Sequence, residues 1–170
     1  MTFDQLYKKH YVQIYRFCYR FTADKDKAED ITQETFMKLF LRMKNGNQPI
    51  ANAKAWLYRV AGNICLNAEN SVKRRGEIMN ALPVEHTEIH NPESLLLIKE
   101  RREQLHRSLN GLRPEQRMLV LMYGEGLSYA EMSEATGISL NSIGKTLWRG
   151  IEKIAETIKK TENGTGRTVS

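Results

Sequence analysis

The chain has 170 residues, of which 41 % are hydrophobic and 27 % are charged, as expected of a soluble globular protein with one medium or two small domains. Its formal net charge of +6 permits binding to a polyanion but does not require it. The N-terminal segment lacks the apolar core of a signal peptide. No apolar run approaches the roughly 20 residues of a membrane span, so we expect no membrane insertion and a cytoplasmic protein.

The residue types that carry redox, metal or nucleophilic chemistry are few and scattered. Cys18 and Cys65 lie in apolar, helix-like stretches outside any metal-ligand spacing, which favours buried free thiols over a zinc or redox role. No phosphate-cradling loop and no pairing of a nucleophile with a base is visible. We therefore expect no catalytic site, no metal and no cofactor.

Capping and turn residues in the N-terminal part of the chain predict three helices. Thr2 with Gln5 three residues later has the spacing of a capping box. A second helix is predicted over about 26–44, ended by Asn45-Gly46-Asn47, and a third begins near Asn52. The second helix is expected to bury one face, formed by Ala28, Ile31, Thr35, Leu39 and Met43 with Phe36 and Phe40 beside it. In the third, Trp56, Val60 and Ile64 mark the predicted apolar stripe.

Helical periodicity fails between residues 76 and 91 and then returns. Asn91-Pro92-Glu93 and Arg113-Pro114-Glu115 both have the form of a helix start. Strand signals are absent. We therefore predict an all-α protein of two small helical domains, the second a four-helix domain. The predicted ranges are an N-terminal domain 1–76, a linker 77–91, a C-terminal domain 92–160 and a disordered tail 161–170.

The stretch LSYAEMSEATGISLNSIGKTLWRGIEKI is typical of a helix-turn-helix. Ser128 and Glu131 form a second capping box, and Gly137 supplies the left-handed backbone of the turn. Met132, Ala135, Ile138, Ile143 and Leu147 have the spacing of a small shared core. Ser139 is expected to cap the second helix, whose N-terminal end would then enter the major groove of DNA. An ordinary helical hairpin is the alternative.

Polar residues mark faces on the second and third helices. The second helix carries Asp30, Gln33 and Glu34 on one polar face. The simplest interpretation is an acidic surface that contacts only solvent. Asn63 and Asn67 lie one turn apart on the third, and asparagine is a poor mid-helix residue. A basic cluster at 73–75 suits phosphates, although basic residues also favour a helix C-terminus.

Together the segments AEDITQETF, WLYRVAGNICLN, LRPEQR and LSYAEMSEATGIS, in this order, resemble the extracytoplasmic-function sigma factors of bacterial RNA polymerase. The resemblance covers almost the whole chain. It implies a specificity subunit that binds core RNA polymerase and directs promoter-specific initiation, without catalysis of its own. The N-terminal domain would dock on the polymerase and open the promoter, and the C-terminal domain would bind the −35 element as duplex.

The resemblance also implies roles for individual residues. Polymerase-binding residues, which dock on a coiled coil of the largest subunits, would be Asp30, Gln33 and Glu34. Residues binding the −10 element, where a base flips out of the non-template strand, would be Asn63, Asn67, Arg59, Lys54, Lys73 and Arg74, with the loop Asn45 to Asn52 as a pocket wall. Residues binding the −35 element would be Asn141, Ser142, Lys145, Trp148 and Arg149. Trp56 is expected in the core.

The sequence departs from the family pattern in the second helix of the helix-turn-helix. Gly144 and Thr146 stand where basic residues are frequent, and Ser133 where alanine is common. Glycine in mid-helix costs about 1 kcal/mol relative to alanine. The resemblance implies a protein that is a monomer when free. Many family members are held inactive by an anti-sigma factor, which is a further candidate partner. The alternative function is a stand-alone helix-turn-helix regulator, which would be a two-fold dimer.

Overall fold

The computed structural model describes residues 1–46, 49–76 and 91–165. Within these ranges the chain is entirely helical, which confirms the predicted all-α class. In chain order the helices are α1 (Phe3–Thr22), α2 (Lys25–Lys44), α3 (Ala53–Arg75), α4 (Pro92–Asn110), α5 (Pro114–Gly124), α6 (Tyr129–Thr136) and α7 (Leu140–Thr165). Most of the predicted linker and the last five residues lie outside the described ranges.

Local capping sets the helix starts of the N-terminal half. The predicted capping box is present, with the Gln5 amide donating to the Thr2 hydroxyl and the Thr2 amide donating to the Gln5 side chain. Asp24 begins α2 by accepting the Lys27 amide at 3.0 Å. The sharp turn before it places Ala23 in the left-handed region, with φ of 54°. The third helix begins near Asn52 as predicted, and the Asn52 side chain caps it by accepting the Ala55 amide.

The predicted apolar faces of α2 and α3 are partly wrong. Phe40 and Met43 are exposed, because the buried residues of α2 end at Leu39. The Phe40 ring still contacts the Phe3 ring of α1, with 5.4 Å between the ring centres. In α3 the large residues of the predicted stripe are only half-buried, including Trp56, which packs against the core from its edge. The buried positions of α3 are instead Ala55, Leu57, Tyr58, Ala61, Gly62, Cys65 and Val72. On this face the fully buried Leu57 and Tyr58 lie beside small residues, and α3 is covered by helices from both halves of the chain.

The C-terminal half has the four predicted helices. Asn91 caps α4, Ser128 and Glu131 form the capping box of α6, and Gly137 adopts the predicted left-handed conformation with φ of 76°. The expected core of the helix-turn-helix is buried, with Ile138 partly so. Ser139 directly precedes α7, where the sequence predicts a cap. Its hydroxyl, however, donates to the Ser142 hydroxyl at 2.8 Å. The helix also continues to Thr165, past the predicted boundary at 160.

The two halves of the chain share one hydrophobic core. Helices α1 and α3 of the first half pack on α5 and α6 of the second. The approach is close at Gly62, where an added Cβ would lie 2.4 Å from the Met118 methyl group. Cys18 and Cys65 are both free and buried in this core, as the sequence predicts.

Candidate functional sites

The exposed face of α7 is polar and basic. Asn141, Ser142, Lys145, Trp148 and Arg149 are all exposed at helical spacing, and Trp148 is 65 % exposed. The opposite face buries Ile143, Leu147 and Gly150. The first turn of α7 contains no acidic residue. An exposed helix face of this kind can present amides, hydroxyls and cations to a DNA groove.

The turn before α7 is held by side chains of α6. The Ser133 hydroxyl donates to the Ile138 carbonyl at 2.7 Å, across the turn. This bond gives a function to the serine that stands where family members commonly have alanine. Tyr129 packs near Gly144, since a Cβ added at Gly144 would lie 3.4 Å from the Tyr129 ring. These contacts fix α7 relative to α6, so the exposed face is presented on a rigid support.

The exposed face of α2 combines acidic and apolar side chains. Asp30, Gln33 and Glu34 are exposed, and Glu34 pairs with Lys38 at 3.2 Å. Met37, 58 % exposed, and Leu41 continue the same face and were not predicted as site residues. The signal for them was available, because both are large apolar residues off the buried face of α2. Exposed apolar residues beside charged ones are typical of a protein-binding surface.

The side chains of α3 divide into two groups. Arg59, Asn63, Asn67 and Arg74 are exposed along one face at helical spacing. Arg74 donates to the carbonyl of Asn70, one turn earlier. Lys73 lies to the side and pairs with Glu69 at 2.9 Å. The side-chain amides of Asn63 and Asn67 are exposed to solvent, where they can both donate and accept hydrogen bonds.

Lys54 and Arg59 already contact the C-terminal half. The Lys54 ammonium lies 3.4 Å from a carboxylate oxygen of Glu131 and donates to the Gly126 carbonyl at 3.2 Å. The Arg59 guanidinium donates to the Glu134 carbonyl. Burial raises the pKa of Glu131, but hydrogen bonds from the Ser128 amide and the Lys54 charge outweigh it, and the net pKa is lowered. These two cations are therefore occupied in this conformation.

A cavity of about 400 Å³ lies beside the loop that precedes α3. It is lined by Met1, Leu6, Arg42, Met43, Pro49, Ile50, Ala51 and Ala53. The predicted pocket wall, Asn45 to Asn52, contributes to this lining, although Asn47 and Gln48 lie outside the described residues. Arg42 was missed by the sequence reasoning. Its guanidinium lies 5.7 Å from the centre of the Trp56 ring, and its Nε is buried without a hydrogen-bond partner among the described residues.

The cavity and the asparagines of α3 are separate places. At a helix rise of about 1.5 Å per residue, Asn63 lies about 15 Å beyond Ala53, and Asn67 about 21 Å beyond it. One flipped base in the cavity could not also contact both asparagines. The structure thus brings together the −35 candidates on α7 and the polymerase candidates on α2, but it spreads the −10 candidates along α3.

No group of three or more metal-ligating side chains lies together in the part of the chain that the structure describes. No described helix is both long enough and apolar enough to cross a membrane.

Comparison with known proteins gives consistent matches over both halves. The model of Sigma-70 region 2 matches residues 6–75, and that of Sigma-70, region 4, matches residues 102–154. The chain is 32 % identical to the ECF RNA polymerase sigma factor SigE of Mycolicibacterium smegmatis, over 98 % of this chain and 65 % of that protein, so it spans less than two thirds of it. It is 28 % identical to ECF sigma factor SigM of Bacillus subtilis, over 91 % of this chain and 93 % of the relative.

A solved structure has the same fold. The sigma factor RpoE of Bartonella quintana, crystallised with the anti-sigma factor NepR, aligns with a TM-score of 0.73 over 92 % of this chain and 96 % of that one, at 21 % identity. The two matched regions lie in the two helical halves of this chain. The chain therefore belongs to the extracytoplasmic-function sigma factors of the sigma-70 family.

Proposed function

We propose that this protein binds core RNA polymerase through the exposed face of α2 and directs initiation at promoters that it reads with α3 and α7. The observation that carries the proposal is the contrast between two exposed helix faces. The α7 face is polar and basic, which suits DNA, whereas the α2 face is acidic and partly apolar. Carboxylates are repelled by phosphates, so the α2 face suits a protein partner.

Polymerase docking would use Asp30, Gln33 and Glu34 with Met37 and Leu41. Exposed carboxylates at the rim of an interface set register and association rate, and the apolar side chains contribute buried area. The partner surface implied by the family is the coiled coil of the largest polymerase subunits. A coiled coil presents charged residues beside its apolar seam, which complements a face of mixed composition.

Promoter contacts would be divided between the two halves. Asn141, Ser142 and Lys145 lie in the first turns of α7, where a recognition helix meets base edges in the major groove of the −35 element, while Trp148 and Arg149 would contact the flanking backbone. On α3, Asn63, Asn67 and Arg74 would contact the −10 non-template strand, with Lys73 adding positive charge. A base flipped from that strand would enter the cavity beside Arg42 and Trp56.

This function requires no catalysis and no cofactor from the chain itself. Polymerase and promoter DNA place its action in the bacterial cytoplasm. The protein would be a monomer when free. An anti-sigma factor is a candidate partner. Two proteins of this fold were solved in complexes: RpoE with the anti-sigma factor NepR, and CnrH with the cytosolic domain of CnrY.

Run-off transcription with core polymerase on pooled genomic promoter fragments tests the proposal. The wild-type protein is expected to give new start sites. Asp30→Ala/Glu34→Ala should weaken all of them by lowering polymerase affinity. Lys145→Ala/Arg149→Ala should weaken promoter-dependent transcripts while polymerase binding, measured by co-elution, stays unchanged.

The matched control is Glu100→Ala/Glu103→Ala, which removes two carboxylates from α4 and should leave transcription at the wild-type level. Specific duplex binding without polymerase, combined with no new start sites, would refute the proposal and leave a stand-alone regulator. Loss of activity in the α4 control equal to that of the α2 variant would refute the assignment of the α2 face.

A further inference from the structure

A buried carboxylate from the second half of the chain is held by two arginines of the first half. The side chain of Glu125 is only 1 % exposed, and it lies just after α5. Arg16 reaches it with Nε at 3.1 Å and also with Nη2, and Arg20 reaches it with Nη1 at 2.9 Å. The backbone amide of Glu125 is bonded to the Leu121 carbonyl, so α5 fixes the position of the carboxylate.

Further charged contacts lie on either side of Glu125 and its two arginines. Towards α6, Lys54 pairs with Glu131 and Arg59 donates to the Glu134 carbonyl. Towards α4, the buried Arg117 of α5 pairs with Glu69 of α3. Every one of these contacts joins the N-terminal half to the C-terminal half. Together with the shared hydrophobic core, they hold the chain in a closed form.

The closed form cannot occupy both promoter elements at once. Elements near −35 and −10 are separated by about 25 base pairs, which is about 85 Å of duplex at about 3.4 Å per base pair. A compact chain of this length has a radius of gyration of about 15 Å, hence a diameter near 40 Å. In the closed form, moreover, the Lys54 ammonium at the start of α3 contacts Glu131 of α6. The two halves must therefore separate when both elements are bound.

Separation is compatible with the covalent connection. The interval from Gly76 to Asn91 contains enough residues to reach about 50 Å when extended. Opening exposes Glu125, Arg16 and Arg20 to water and releases Lys54 and Arg59, two of the candidate promoter contacts. A closed form that occupies these cations therefore competes with promoter binding.

We propose that Glu125, held by Arg16 and Arg20, is an intramolecular latch that keeps the free protein closed and thereby self-inhibited. Its meaning for transcription rests on the proposed function, but the latch itself is a property of the isolated chain. Glu125→Gln keeps the shape of the side chain and removes its charge. In the closed form this leaves two arginines facing each other without a counter-charge, whereas the open form is unaffected.

Single-molecule energy transfer on the full chain tests the latch directly. Fluorophores would be placed on Lys8→Cys in α1 and Glu100→Cys in α4, both exposed positions outside the candidate contacts. The wild type is expected to be mainly in the high-transfer population. Glu125→Gln should shift the ratio of open to closed molecules about tenfold or more towards open. Arg16→Gln/Arg20→Gln should do the same.

Double-mutant logic and a matched control sharpen the test. Combining Glu125→Gln with Arg16→Gln/Arg20→Gln should open the chain no further than the more open of these two variants does alone. Each of them already removes the same interaction. Glu103→Gln removes the exposed Lys99–Glu103 pair within α4 and should leave the ratio within about twofold of wild type. Circular dichroism checks the fold of each variant. If Glu125→Gln does not fold, Arg16→Gln/Arg20→Gln tests the latch instead, because the side chains of Arg16 and Arg20 are about half exposed and their replacement disturbs the fold less.

Two outcomes would overturn the latch. One is a wild-type chain that is mainly open at physiological salt. The other is a folded Glu125→Gln or Arg16→Gln/Arg20→Gln chain with the wild-type ratio. Run-off transcription separates this inference from the proposed function: Glu125→Gln should lower the concentration for half-maximal transcription by up to about tenfold. If no variant supports transcription, the proposed function fails, while the transfer ratio still decides the latch.

Discussion

His10 lies on the buried face of α1 and is 4 % exposed. Burial, rather than any single partner, lowers its pKa below 6.5, with Lys9 and Lys54 adding to the effect and Gln13 and Glu131 opposing it. The imidazole is therefore neutral in the folded protein at neutral pH. Because the unfolded chain binds this proton more readily, the folded state loses stability when the pH falls below 6.5.

We predict that the melting temperature falls between pH 7.5 and pH 5, and that His10→Gln reduces this fall. The stability contributed by neutral His10 is complete above its unfolded pKa and is lost as the pH drops through the folded value. Thermal melts of both proteins at several pH values measure the difference in slope. A variant with the wild-type slope would show that other groups, such as His106, carry the acid sensitivity.

Individual site residues differ in how far the sequence could predict them. The exposure of Asp30, Glu34, Lys145 and Arg149 follows from helical periodicity alone, because each lies opposite a run of apolar residues. The surroundings of Glu125 do not follow from it, since its partners lie 109 and 105 residues earlier in the chain. Local pattern contains no information about such pairs.

At the scale of the element, α7 combines the candidate DNA-binding face with a glycine in mid-helix. Gly144 lies in mid-helix near Tyr129, and a Cβ added there meets the ring at an ordinary contact distance of 3.4 Å. Gly150 lies on the buried side of the same helix. An added Cβ would come within 3.1 Å of Val120 and 3.4 Å of the Gln116 Cβ. The same substitution should therefore have different effects at the two positions.

We predict that Gly144→Ala stabilises the protein by about 1 kcal/mol through the helix propensity of alanine. For a chain of this size, the melting temperature should rise by about 2–4 °C. Gly150→Ala serves as the paired comparison and should give no gain, because the tight contacts with α5 offset the propensity. Equal stabilisation by both substitutions would contradict the packing described for α7.

Helix starts were the most predictable elements, and buried faces the least. Thr2, Asn91 and Ser128 cap helices as the sequence predicts, because a cap depends on neighbours within a few residues. Asn52 caps the helix that was predicted to begin near it. The buried face of α3 was misjudged. Trp56, Val60 and Ile64 lie at its edges, whereas Leu57 and Tyr58 are fully buried beside several small residues. Helices of the second half of the chain cover this face, which no local periodicity reveals.

The whole molecule is held together by Arg117 as well as by the shared core. This arginine is 4 % exposed, lies 4.2 Å from the centre of the Phe21 ring, and pairs with Glu69. It therefore joins α5 to both α1 and α3. The two halves follow one another in the chain as the predicted two domains do, and they share one hydrophobic core in this structure.

We predict that Arg117→Ala destabilises the protein by about 3 kcal/mol, since it leaves Glu69 with only its exposed lysine partner. The melting temperature should fall by about 6–12 °C. Calorimetry should show one transition in the wild type and two in the variant, as the halves uncouple. The exposed Arg101→Ala on α4 should change stability by less than about 0.5 kcal/mol. A single transition in Arg117→Ala would show that the remaining contacts between the halves couple them without this arginine.

The two buried cysteines determine how such experiments can be carried out. Cys65 is hydrogen-bonded to Cys18 and buried, and both effects raise the pKa of its thiol well above the ordinary value of 9.0. Only a thiolate attacks a maleimide, so Cys65 hardly reacts at neutral pH, and burial shields Cys18 from the reagent as well. A cysteine introduced at the surface becomes the reactive position of the folded chain. Fluorophores and spin labels can thus be attached to the closed form of the natural sequence without first replacing its own cysteines.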